Sequence, residues 1–202
     1  QLADFFYVWQ QSILKSSDNQ TQVTTRHPDE VQHTDAQVFT QRLTAVLCEC
    51  NRVLKHTGLM VFTYHHTRAE GWEALYHAVR TAGFVITRTY PVKAEMAVSV
   101  VLQQTKVPIN IDLIIVCRKS EAIAPQPPTE DVTVAACLPE ARETIAALQQ
   151  AGLPVSRGDV RVVLIGCLLA RLARLSNLER ERHMLKTSSE TLHGCVEELL
   201  VD

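Results

Sequence analysis

The sequence predicts an α/β fold, and three observations carry that prediction. Between residues 36 and 119, stretches with helical apolar spacing alternate with short β-rich apolar runs. A proline-rich segment then interrupts the chain, and the residues after it are helical in pattern. The chain is 46% hydrophobic and 21% charged over 202 residues, as expected for a globular protein with a sizeable core.

The first stretch, QLADFFYVWQQSILK, places Leu2, Phe5, Phe6, Trp9, Ile13 and Leu14 at helical spacing, giving a helix with one aromatic face. It starts without a cap or an initiator methionine, and the expectation is a piece of a longer polypeptide. Residues 16–35 are polar and aperiodic and read as a long loop. In AQVFTQRLTAVLCECNRVLK, the residues Val38, Phe39, Leu43, Val46, Leu47, Cys50, Val53 and Leu54 form a helical stripe. Lys55, His56 and Thr57 followed by Gly58 provide its C-terminal punctuation.

LMVFTY (59–64) is a continuous apolar run and reads as a buried strand. EGWEALYHAVRTA (70–82) returns to helical spacing and closes on Gly83, and FVITRTYPV (84–92) is strand-like. AVSVVLQ (97–103) and INIDLIIVCRK (109–119) are also β-rich. Helix–strand alternation predicts a parallel sheet, and the closing strands, with no helix between them, predict an antiparallel edge.

The segment 120–131 holds three of the eight prolines and reads as a linker between residues 1–119 and a helical extension, 132–202. In the extension, 139–152 is a helix closed by Gly152. Residues 159–175 are apolar nearly all round and predict a central helix, and a last helix spans 188–200.

The formal charge of −2 excludes a global positive field toward nucleic acid or anionic membrane. No apolar run reaches the roughly 20 residues needed to span a bilayer, and no secretion signal is visible. The six cysteines are scattered and mostly lie in apolar runs, as buried thiols in a reducing compartment do, so the expected location is cytoplasmic. Cys48 and Cys50 form a C-x-C pair without a second pair at zinc spacing, and no metal is expected. The seven glycines include no G-x-G pair, so dinucleotide, methyl-donor and phosphate-cradling loops are absent from residues 1–202. A nucleophile elbow and an H-E-x-x-H helix are absent too.

Three strings carry a resemblance: LADFFYVWQQSIL, the run from Phe39 through RVLK to GLMVFTYHH, and GWEALYHAVRTAGFVITRTYPVKAE. Together they resemble the adenine-specific DNA methylases, S-adenosylmethionine-dependent methyltransferases with a Rossmann-like sheet. VSRGDVRVVLIGCLLARLARL (155–175) is similar to the helical stretch that follows the sheet in that family. The resemblance implies the C-terminal half of the sheet: a helix, the fifth strand, a helix, then the sixth and seventh strands as an antiparallel pair.

In that family the aromatic helix directly follows an Asp-Pro-Pro-Tyr motif that holds the target amine. Neither that motif nor the glycine-rich methyl-donor loop occurs in residues 1–202. The resemblance therefore implies no catalytic residue in this chain, S-adenosylmethionine as cofactor of the intact protein only, and DNA as its substrate. The partner it implies is the N-terminal half that carries the catalytic motifs. A half sheet also predicts an exposed edge and apolar face, and hence self-association into a homodimer or a rearranged sheet. The competing reading is a non-catalytic Rossmann-like binding or scaffolding module that acts with a partner.

Candidate residues follow from both lines. Tyr64, His65 and His66 end the expected fifth strand, where open α/β sheets bind ligands, and they are expected to line the cleft or simply to mark a strand leaving the core. Tyr7 and Trp9 are candidates for base stacking, against membership of an apolar core. Glu95 matches a polar position after the sixth strand of the family, against an ordinary exposed carboxylate. Arg26, His27, Arg171 and Arg174 are candidates for DNA contact, against a loop and a solvated helix face of mixed charge.

Overall fold

The computed structural model describes Tyr7 and residues 30–94, 109–123, 132–172 and 191–200. Helix α1 spans Ala36–Val53 and is capped by Asp35, whose carboxylate accepts from the Gln37 and Val38 amides at 2.7 and 3.1 Å. Those two amide bonds hold the Asp35 carboxyl below its ordinary value of 3.8. The apolar stripe of α1 is wider than the core it meets. Leu47 is buried and Leu43, Cys50 and Leu54 pack against the core, but Val46 and Val53 are 47% and 67% exposed. The helix stops before the expected punctuation, because Leu54 is already extended.

Strand β1 (Met60–Tyr64) leads into helix α2 (Ala69–Thr81), then strand β2 (Phe84–Lys93) and strand β3 (Ile111–Lys119). The turn from α2 into β2 needs a left-handed residue, which Gly83 supplies at φ +80°. The sheet order is β1-β3-β2, and β3 is antiparallel to both neighbours. The closing pair is antiparallel as expected. The parallel sheet and the antiparallel edge are corrected: β1 and β2 run parallel but never touch, since β3 inserts between them. No hydrophobic pattern could reveal this insertion, because a strand's two possible neighbours bury the same face.

The expectation of a buried β1 is corrected as well. Among the described residues it is an edge strand, and its side chains alternate between half-buried and exposed, with Val61 55% exposed. Its apolar run packs on one side only, as a strand with a single neighbour and a single covered face does.

The register assigns the two faces. Met60, Phe62 and Tyr64 lie opposite Cys117, Ile115 and Leu113, and Ile86, Thr89 and Pro91 complete that face from β2. It is the buried face: Ile86, Leu113, Ile115 and Cys117 are 0–1% exposed. Helix α2 covers it through Trp72, whose ring meets Tyr64 edge-on at 5.0 Å. Thr87 is an extra residue in β2, so that Arg88 rather than Thr87 lies opposite Val116.

Helix α3 (Leu138–Gln150), closed by Gly152 at φ +77°, and helix α4 (Arg157–Leu172) follow a short 3₁₀ turn, Ala135–Cys137. Helix α4 is buried almost all round, as its composition predicts, and packs on β2 and β3 within the same apolar cluster as α2. The approach is close at Gly166, where a Cβ would stand 2.8 Å from Thr89 Oγ1 and 3.1 Å from the Leu113 methyls. Helix α5 (191–200) buries Leu192, Cys195, Val196 and Leu199. No helix among the described residues is long and apolar enough to cross a membrane.

Candidate functional site

The residues at the end of β1 divide by face. Tyr64 points to the covered face, donates its hydroxyl to Gly71 O at 2.9 Å, and stacks on His66 at 6.2 Å between ring centroids. Burial raises the Tyr64 phenol from 10.0 to about 12, so it remains a neutral donor. Trp72 Nε1 donates to His66 O at 3.0 Å. The imidazole of His66 faces the Arg68 amide at 3.1 Å and the Arg68 carbonyl at 3.0 Å through the same Nδ1. The amide donates to Nδ1 in one tautomer, and Nδ1–H donates to the carbonyl in the other. Gly71 lies directly against this ring, leaving no room for a side chain. Tyr64 and the Nδ1 of His66 thus fasten the β1 exit to the start of α2.

His65 points to the opposite face. Its Nδ1 lies 2.9 Å from Asp112 Oδ1, with the two side chains 34% and 28% exposed. The pairing follows from register: Tyr64 lies opposite Leu113, so the next residue of β1 meets the preceding residue of β3. An ionised carboxylate only accepts, which places a proton on Nδ1. His65 Nε2 has no hydrogen-bond partner among the described residues.

Asp112 was not among the sequence candidates. Its signal was a lone carboxylate in the strand INIDLIIVCRK, but nothing local told which residue would stand across from it. Asp159 was also missed, although Ser156-Arg157-Gly158-Asp159 has the spacing of a capping box. It is fully buried. Its carboxylate accepts from Ser156 N at 2.7 Å, Asn110 N at 2.6 Å and Asn110 Nδ2 at 3.0 Å, and Ser156 Oγ accepts from Asp159 N at 3.1 Å. This carboxylate joins the start of α4 to the residue before β3, and every contact it makes is structural.

Arg171 does not lie on a fully solvated helix face. Its side chain is 23% exposed and stands 3.6 Å from Glu140 Oε2, in a cleft of about 550 Å³ that also includes Thr87, Thr89 and Thr144. A second groove, about 610 Å³, runs between α1 and α2 past Thr40, Gln41, Glu70 and His77. Neither is lined by the residues at the β1 tip. Tyr7 is helical and half-buried. Trp9, Glu95, Arg26, His27 and Arg174 lie outside the described residues. No group of three or more metal-ligating side chains occurs among the described residues.

Comparison of the chain with models of known families, with curated proteins and with solved structures gives no match in any of the three.

Proposed function

We propose that this chain is the C-terminal half of an adenine-specific DNA methyltransferase-like domain, with the tip of β1 forming part of its ligand crevice. The observation that carries the reading is the polar group Tyr64-His65-His66, joined by Asp112, at the carboxyl end of β1. Ligands of open α/β sheets bind at such strand ends. The order β1–α2–β2–β3 with an antiparallel closing pair also supports it, since the resemblance implies that succession. In the intact protein, S-adenosylmethionine would supply the methyl group and an Asp-Pro-Pro-Tyr element outside residues 1–202 would hold the adenine amine. This chain would supply sheet strands and one wall of the crevice.

The sheet face that α2 and α4 leave open among the described residues favours a second reading, a binding module completed by a partner. Val61 and Tyr90 are 55% and 48% exposed there, beside half-buried Ile114 and Val116. A three-stranded face of this size offers on the order of 400 Å², from strands about 4.8 Å apart rising about 3.3 Å per residue. A stable interface takes about 800 Å² per partner. Self-association through this face alone is therefore weak, and a larger, covalently continuous or heterologous partner fits better.

The test uses the complete reading frame from which this chain derives. With labelled S-adenosylmethionine and DNA, the intact product transfers label to adenine, whereas residues 1–202 alone transfer none. An upstream frame without the glycine-rich and Asp-Pro-Pro-Tyr motifs, or an intact product that labels no adenine, overturns the methyltransferase reading and leaves the binding module.

A further inference from the structure

We propose that His65 and Asp112 form a preset acceptor on the open sheet face: Asp112 positions the ring, and His65 Nε2 accepts a hydrogen bond from an N–H group of a bound heterocyclic base. The assignment of a base as ligand rests on the methyltransferase reading; the preset acceptor rests on geometry alone.

Three features support the acceptor. First, Asp112 Oδ1 lies 2.9 Å from Nδ1 and accepts its proton, an arrangement that in a neutral ring leaves the lone pair on Nε2. An unconstrained imidazole samples both tautomers, and a carboxylate partner selects one. Second, Asp112 is held in the β2–β3 ladder opposite Val92, and His65 is the first residue after β1, whose last ladder pair is Tyr64 with Leu113. Third, the neighbouring hydrogen-bonding groups are already occupied: Tyr64 on Gly71, Trp72 on His66 O, and His66 Nδ1 on the Arg68 backbone. His65 is exposed, and its Nε2 has no hydrogen-bond partner among the described residues. Val92, directly opposite Asp112, and Ile114, opposite Thr63, lie on the same face beside it and give a planar ligand apolar floor.

The test is nitrogen-15 NMR of the full chain with labelled histidine, with the His65 signals assigned by their loss in His65→Ala. The expected spectrum shows a one-bond proton coupling on His65 Nδ1 and none on Nε2 at neutral pH, and Asp112→Ala removes that preference. His66, which has no hydrogen bond to Asp112, serves as internal reference, and Asp112→Ala leaves its signals unchanged. Millimolar adenosine shifts the His65 Nε2 resonance, while N6,N6-dimethyladenosine, which has no exocyclic N–H, leaves it at least tenfold less sensitive. A proton on Nε2 in the wild-type chain, or a tautomer indifferent to Asp112→Ala, overturns the preset acceptor. Equal responses to the two nucleosides, or none to either, overturn the base-edge contact. Failure of the methyltransferase reading has a separate signature: the intact product labels no adenine although His65 retains its Nδ1 proton.

Discussion

The two faces of the sheet are built from the same three strands, yet they differ in nearly every physical respect. On the covered face, Phe84, Ile86, Leu113, Ile115 and Cys117 are 0–1% exposed and meet Trp72 of α2 or Gly166 of α4 through their neighbours. On the other, Val61, Thr63, Arg88 and Tyr90 are exposed, Ile114, Val116 and Val92 are half-buried, and Val85 at the start of β2 is buried. Stability belongs to the first face, where apolar area leaves water. Recognition is available on the second, where side chains are held by the ladder without being consumed by packing.

The two aspartates sharpen the same contrast. Asp159 is fully buried and accepts three hydrogen bonds from this chain's own donors, so its ionised form is matched internally. Asp112 is 28% exposed and holds one histidine, itself 34% exposed.

Substitutions should separate the faces in a graded way. Phe84→Ala removes a fully buried ring and should lower the unfolding free energy by about 3–5 kcal/mol, read by urea denaturation. A loss under about 1 kcal/mol would mean the covered face is not the core. Asp159→Ala leaves the donors Asn110 N, Asn110 Nδ2 and Ser156 N without their acceptor, and a loss of at least about 3 kcal/mol is expected, the lower end of about 1–3 kcal/mol for each of the three stranded groups. Asn110 and Ser156 amides should also exchange hydrogen faster in that variant.

Alkaline pH probes the covered face without mutation. Burial raises the Cys117 and Cys167 thiols from 9.0 to about 12, and Tyr64 from 10.0 to about 12. The folded state therefore holds protons that the unfolded state releases. The stabilisation is complete below pH 9 and falls between pH 9 and about 12, by about 1.4 kcal/mol per pH unit for each thiol. Denaturation midpoints measured from pH 8 to 11 should decline accordingly. Over the same range, iodoacetamide should label exposed Cys48 quickly and Cys117 only on unfolding.

On the open face the effects shrink. Asp112→Ala should cost less than about 1 kcal/mol, since a partly exposed side-chain pair contributes little to stability. Val61→Thr should stay within about 0.5 kcal/mol. If either cost rivalled Phe84→Ala, the open face would have to be a second core, covered by residues beyond those described.

Much of the element order was legible because it depends on local periodicity. Residues 70–82 were expected as a helix and Ala69–Thr81 form one; Gly83 and Gly152 punctuate as expected because their positive φ is a local demand. The central character of α4 could be read from apolar residues on every side of the helix. The site was legible only in half. Tyr64, His65 and His66 stood out as polar residues ending an apolar run, but their division between faces, and the choice of Asp112 as partner, depend on a register between residues 47 positions apart.

The helix expected in residues 1–15 and the strand expected at 97–103 lie outside the described residues, Tyr7 apart. By itself, the sequence determined where the helices and strands of the described residues begin and end to within a few residues. Side-chain spacing and backbone freedom are local properties, and they suffice for that. Only the tertiary structure decided that β3 lies between β1 and β2, that α1 leaves Val46 and Val53 in water, and that one buried carboxylate is structural while another presents a histidine. These outcomes depend on which distant segment supplies the neighbouring surface, and a strand or a helix stripe does not record in its own residues which partner will cover it.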